Sequence, residues 1–165
     1  MTFRMTPLDG TPDERYTELI QQLRGLLEGE SDWLANLSNA ASLLYMQLDR
    51  INWAGFYLMR GGELVLGPFG GKPACTRIPL GKGVCGTAAA LRETQVVPDV
   101  HQFPGHIACD EASRSEIVVP LMEGGRVVGV LDIDSPEPGR FTAVDRRYLE
   151  QVAALLAPWA AQGSC

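Results

Sequence analysis

Three cysteines, one histidine and three acids lie in the middle of this sequence, at spacings where they could do chemistry. Cys75 and Cys85 are ten residues apart, and Cys109 follows 24 residues after Cys85. His106 and Cys109 share the stretch "FPGHIACDEASRSEIVVP", residues 103–120, which opens as a Pro/Gly loop and ends as a strand. Four chemistries compete for such thiols. They can be small buried hydrophobes. Cys75, Cys85, His106 and Cys109 can bind zinc as a Cys₃His set, although no pair has the usual C-x₂₋₄-C spacing. They can form a structural disulfide. They can also carry redox catalysis, with one nucleophile and one or two partners that resolve its oxidised form. Placement on loops favours the last, because reactive residues concentrate on loops held by a rigid scaffold.

Two of the cysteines have a local reason to be nucleophilic. Cys109 opens "CDEASRS", a helical turn whose N–H groups would stabilise a thiolate, against the opposing charges of Asp110 and Glu111. Cys85 follows Gly83 at the start of a short helix, so spacing alone does not rank the two. The acids add a second constraint. Glu116 begins a strand, and Asp132 and Asp134 stand at i and i+2 behind the apolar run "VVGVL". That spacing places both on one strand face. Carboxylates on a buried face are costly unless they bind a cation or share a proton. The alternative is a solvent-facing pair at a frayed strand end.

The elements that must position these residues are readable from pattern. Thr11-Pro12-Asp13-Glu14 is a capping box with proline at the first helical position. Tyr16, Leu19, Ile20, Leu23, Leu26 and Leu27 then recur at helical spacing, up to Gly29. A second helix spans about 32–48. "NWAGFYLMRGGELVLGPF" alternates around Gly61-Gly62 and predicts a hairpin. "TRIPL" is a short strand, "GVCGTAAALRE" a short helix and "TQVVPDV" a strand. "EIVVPLMEGGRVVGVLDIDS" is a second hairpin, turning at Gly124-Gly125. Thr142 and Asp145 cap a last helix through about Trp159. The pattern predicts an α+β fold in which the N- and C-terminal helices pack on one face of an antiparallel sheet. Loops and short helices between residues 70 and 115 close a pocket on the other face. One domain spans 1–165: a flexible lead over 1–12, helices over 13–49, and the sheet core and final helix over 50–160.

Composition narrows the function. A chain of 165 residues suits one domain with a full core. With 14 Lys and Arg against 20 Asp and Glu, the net charge is −6, which argues against nucleic acid. No run approaches the ~20 apolar residues of a membrane span, and the start lacks the apolar stretch of a signal peptide. The expected location is the cytoplasm, where disulfides are usually transient or catalytic.

The runs "WAGFYL", "LVLGPFGGKPAC", "IPLGKGVCGTAA", "VPDVHQFPGHIACDEASRSEIVVPL" and "GVLDIDS" together resemble the free methionine-(R)-sulfoxide reductases, stand-alone GAF-domain enzymes. The resemblance extends from about Ile51 to the final helix. It implies that Cys109 is the catalytic cysteine, Cys85 the main resolving cysteine and Cys75 a third that can join recycling. It further implies that Trp53, Tyr57, Glu116, Asp132 and Asp134 line the substrate pocket. His106 shapes the loop, and Cys165 has no counterpart and reads as an exposed tail thiol. The zwitterionic substrate fits these residues. Its ammonium would meet Glu116, Asp132 and Asp134, and its carboxylate the backbone N–H groups of Ile107, Ala108 and Cys109. The Trp53 indole would wall its methyl group, with the Tyr57 hydroxyl nearby. No metal or organic cofactor is implied, and a thioredoxin-like dithiol would regenerate the enzyme. Closing a Cys85–Cys109 disulfide would need movement within residues 70–110. The N-terminal helices suggest a homodimer. Two rivals stand beside this reading: a non-catalytic ligand-binding GAF module and a zinc-binding structural protein.

Overall fold

The computed structural model describes residues 3–106 and 111–165. Helix α1 (Pro12–Leu27) starts with the expected capping box: Thr11 accepts from the Glu14 backbone, and the Glu14 side chain accepts from Thr11 N–H. Residues ahead of it, expected as a flexible lead, are tied to the helices, since Gln22 and Gln47 both donate to the Thr6 carbonyl. Helix α2 (Trp33–Gln47) is capped by Asp32. Strands β1 (Trp53–Arg60) and β2 (Glu63–Gly71) form the first hairpin, and β3 (Arg77–Ile78) adds to its edge. Helix α3 (Gly83–Leu91) and β4 (Gln95–Val97) follow. Strands β5 (Ser115–Glu123) and β6 (Arg126–Ser135) form the second hairpin, and α4 (Ala143–Gly163) ends the order. Both hairpins turn at Gly-Gly pairs with positive φ, where a side chain would be strained.

The six strands form one antiparallel sheet in the order β3-β2-β1-β6-β5-β4. Because side chains alternate along a strand, the sheet has two distinct faces. Ala54, Phe56 and Leu58 of β1, Ile117, Val119 and Leu121 of β5, and Leu131 and Ile133 of β6 face α1, α2 and α4. With Leu19, Leu23, Leu37, Leu44, Leu149 and Leu156 they make the larger core. Each such side chain contributes about 1.5–3 kcal/mol by leaving water. The opposite face carries Trp53, Tyr57, Val118 and Val130 and packs against Val84, Cys85, Ala88 and Ala89 of α3. This second, thinner layer is the one that holds the pocket.

Helix α4 is anchored at both ends. Asp145 accepts from Thr142 N–H, from Tyr16 O–H at 2.5 Å and from the buried Arg140 at 3.1 Å, while Arg140 also reaches Asp49. The helix runs past the expected end at Trp159, through Pro158, to Gly163. Tertiary contacts hold that last turn. Arg60 donates to the Gly163 carbonyl, and the Trp33 ring lies so close over Gly163 that a Cβ there would sit 2.6 Å from it. Cys165 is exposed, as expected, but its backbone exchanges hydrogen bonds with Met59 and Gly61 at the end of β1. No helix among the described residues is long and apolar enough to cross a membrane.

Candidate active site

The register of the three central strands assembles the acids. Trp53 of β1 lies opposite Asp134 of β6, which in turn lies opposite Glu116 of β5. One row along, Gly55 faces Asp132, and Asp132 faces Val118. All of these point away from the helical core, so the i, i+2 acids and Glu116 converge on the α3 side. The solvent-facing alternative for Asp132 does not hold: Asp132 and Glu116 are only 5% and 8% exposed. Together with Asp134, Trp53, Tyr57 and Cys85 they line a pocket with about 530 Å³ of empty space, its mouth included. Gly55 lets β2 pack closely beside this floor. A Cβ there would sit 2.3 Å from Cβ of Phe69, whose ring stacks on Trp53 at 5.2 Å.

The aromatic pair does more than wall the pocket. Trp53 Nε1 donates to the Lys72 carbonyl at 3.1 Å, and the Tyr57 hydroxyl donates to the Cys75 carbonyl at 3.0 Å. These bonds hold the 72–75 segment at the pocket mouth, and Pro73 and Ala74 line it. The Tyr57 hydroxyl, expected to face substrate, is thus engaged by backbone.

Cys109, Ile107, Ala108 and Asp110 lie outside the described residues, as does the start of the helical turn expected from Cys109; Glu111 and Ala112 form a turn, not a helix, and β5 begins at Ser115. Their flanks are placed. His106 and Ser113 both line the pocket. Val100 N–H donates to the Arg114 carbonyl at 2.8 Å, Arg114 N–H to the Ser135 carbonyl at 2.7 Å, and Asn52 Nδ2 to Ser113 Oγ at 3.2 Å. His106 and Ser113 therefore both stand beside the row of acids. Burial, with the charge of His101, lowers the pKa of His106.

The remaining thiols separate. Cys75 is disulfide-bonded, while Cys85 and Cys165 carry free thiols. This differs from the expectation that Cys85 would be the main disulfide partner and Cys75 its alternate. The physical reason lies around Cys85. It is buried on the inner face of α3, and its Sγ donates to Glu116 Oε2 at 3.9 Å. Burial and the charges of Asp132, Glu116 and Asp134 push its thiol pKa well up. The helix start that suggested a reactive thiolate is outweighed. The Cys₃His zinc set is likewise not what the described residues assemble: Cys75 is in a disulfide, and Cys85 sits instead with Glu116 and Asp132.

The acids carry the same signature. Glu116 is pushed well above the usual carboxylate range by burial first and by the charge of Asp132 second. Asp132 is raised by burial and then by Asp134. Burial and these anions also raise Tyr57. Clustered carboxyls of this kind titrate as a set and retain protons near neutral pH. The pocket can therefore bind a cation or deliver a proton. Among the lining residues that pattern reading missed are Ile78, Lys82 and Ser113. Lys82 is the one Lys or Arg among the described lining residues; its signal was its place between Gly81 and Gly83 at the N-cap of α3.

A pH prediction follows from these directions. The folded state binds protons on Glu116 and Asp132 that the unfolded chain has lost by about pH 4–5, so their contribution falls as pH rises toward the folded pKa values. Asp132→Asn removes part of that loss. Its Tm is expected to match the wild type near pH 4 and exceed it near pH 8, by roughly 2–4 °C per kcal/mol recovered. Asp145 does not confuse the comparison. Burial raises its pKa, but Tyr16, Thr142 and Arg140 more than reverse this, so its linkage lies below the test window and is common to both proteins. A constant Tm difference across pH would show that the buried acids are already ionised.

Residues 35–158 match the GAF domain family, which the two-faced sheet and its closed pocket embody. Among curated relatives, the free methionine-R-sulfoxide reductase of Escherichia coli is 54% identical over 143 residues, 87% of each chain. The protein of the same name from Saccharomyces cerevisiae is 48% identical over 153 residues, covering 87% of this chain and 84% of its own. The crystal structure of the Neisseria meningitidis free methionine-R-sulfoxide reductase in complex with its substrate is 43% identical. It superimposes with a TM-score of 0.93, covering 98% of this chain and 99% of that one. Within the GAF domains, the chain belongs to the free methionine-R-sulfoxide reductase family.

Proposed function

We propose that this protein reduces free L-methionine-(R)-sulfoxide to methionine with a cysteine nucleophile. The observation that carries the reading is the buried convergence of Glu116, Asp132 and Asp134 beside Trp53, beneath the two ends of the segment that contains Cys109. The acids receive the substrate ammonium. The backbone of Ile107, Ala108 and Cys109 receives its carboxylate, and Trp53 packs on its methyl group. A residue inside a polypeptide lacks both charged termini, so it would leave these buried groups unpaired.

The reaction proceeds by thiolate attack of Cys109 on the sulfoxide sulfur while the Glu116 set, with Glu116 or Asp134 as donor, protonates the oxygen. The oxygen passes to Cys109 as a sulfenic acid and methionine leaves. A second thiol then displaces that hydroxyl as water, forming a disulfide. The disulfide at Cys75 and the suppressed thiolate of Cys85 support Cys75 as this resolving residue, in place of the Cys85 first expected. A thioredoxin-like dithiol restores both thiols by exchange, becoming a disulfide itself. The reducing cytoplasm suits that cycle. Exposed Leu34 and Met46 on α2 support a homodimer through the N-terminal helices.

Cys75→Ser tests the cycle. Fully reduced variant is expected to release one methionine per chain in a first turnover and to fall at least about tenfold in thioredoxin-coupled steady state. Cys85→Ser showing that behaviour, with Cys75→Ser turning over normally, would return the resolving role to Cys85.

A further inference from the structure

We propose that Cys85, Glu116 and Asp132 form a three-donor site for a thiophilic divalent cation of the zinc type at the floor of the pocket. The donors come from three elements, α3, β5 and β6, and all are buried. One ligand atom from each lies within 4.8 Å of the others. At the tetrahedral angle, a zinc ion about 2.3 Å from sulfur and 2.0–2.2 Å from oxygen holds such ligands about 3.6 Å apart. The 3.9 Å separation of Cys85 Sγ and Glu116 Oε2 is within a few tenths of an ångström of that spacing, so a small side-chain shift lets the pair share an ion.

A second observation points the same way. Oδ1 of Asp132 is buried and has no hydrogen-bond partner among the described residues, although Asp132 lines the cavity. Leaving such an oxygen unpaired is costly, and a cation beside it removes the cost. The donor set then selects the metal. One sulfur and two carboxylate oxygens suit zinc or cobalt, whereas calcium takes six to eight oxygens and magnesium an octahedron of them. Three protein ligands leave the fourth position of a tetrahedron facing the pocket. Binding would displace the protons held by the thiol and the acids. It would also place the ion where the proposed substrate ammonium sits, so the metal would act as a reversible inhibitor of the thiol site. That competition rests on the substrate reading; the metal site does not.

The test uses the full chain carrying Cys165→Ser, to remove the exposed thiol, with the Cys75 disulfide left intact. Co²⁺ binding is followed by equilibrium dialysis and by the near-ultraviolet thiolate-to-cobalt charge-transfer band. One Co²⁺ per chain with that band, displaced by Zn²⁺, is expected. Adding Cys85→Ser should abolish the band and weaken binding at least tenfold. Asp132→Asn should weaken binding comparably while keeping the band. Circular dichroism checks that both variants fold. No stoichiometric Co²⁺ binding, or a band that survives Cys85→Ser, would overturn the site. Saturating free methionine is expected to weaken Co²⁺ binding. If it does not, while the two variants behave as stated, the substrate placement fails and the metal site stands.

Discussion

Cys109→Ser is expected to lower turnover of free methionine-(R)-sulfoxide by on the order of 10³-fold or more, as removal of a covalent nucleophile does. The affinity for substrate should stay within a few-fold, since the ammonium site is built from strands β5 and β6 and not from the thiol. The loss is expected to be large because the described residues hold no substitute. Cys85 is a free thiol at the pocket, but burial among Asp132, Glu116 and Asp134 disfavours its thiolate, and Cys75 is disulfide-bonded. Cys165 lies at the far end of β1, hydrogen-bonded to Met59. The coupled assay gives the rate, and quenching of Trp53 fluorescence gives the affinity, because Trp53 lines the pocket. A variant that neither turns over nor binds would point to misfolding. A variant with wild-type turnover would remove the chemistry assigned to Cys109.

Glu116→Gln carries the second large effect. Glu116 is asked to do two things: to give a proton to the sulfoxide oxygen and to face the substrate ammonium. General acid catalysis is worth about 10²–10⁴-fold, and kcat/KM is expected to fall within that range. Gln keeps the shape and most of the packing, so the fold should survive. The pH dependence separates the roles. A raised carboxyl pKa keeps the acid form present below it, so wild-type kcat should decline as pH rises through the pKa of the set. In Glu116→Gln the remaining rate should lose most of that decline. If KM rises while kcat and its pH profile are unchanged, Glu116 is a binding residue only and the proton comes from Asp134.

Much of this site was legible in the sequence because a strand has a strict period of two. Asp132 and Asp134 had to share a face, and Trp53 and Tyr57 had to share theirs. The Gly-Gly turns fixed both hairpins, and the two capping boxes located α1 and α4. Residues joined only by the tertiary fold were not legible. Nothing near Cys85 in sequence announces that Glu116 and Asp132 will surround it, so its local helix start suggested a more reactive thiol than the buried anions permit. The Tyr57 hydroxyl was expected near substrate, yet it holds the Cys75 carbonyl, and Trp53, expected only as an apolar wall, also holds the Lys72 carbonyl through Nε1, each more than fifteen residues away. The Arg140 network that ties the start of α4 to α1 and to the α2–β1 connection joins residues 91 and 129 positions apart, and no local pattern encodes it. The pattern ended the last helix near Trp159, yet α4 runs to Gly163. Contacts from Arg60 and Trp33 keep the helix going.

The most direct test of the central claim is a thioredoxin-coupled assay of the wild-type protein with three substrates: free methionine-(R)-sulfoxide, free methionine-(S)-sulfoxide and a peptide containing methionine sulfoxide. The pocket of buried acids, with Cys109 as the proposed nucleophile, predicts turnover of the free R form alone. Equal turnover of the peptide would contradict the ammonium-reading role of Glu116, Asp132 and Asp134. No turnover of any of the three by the folded, reduced protein would leave a ligand-binding GAF domain in place of an enzyme.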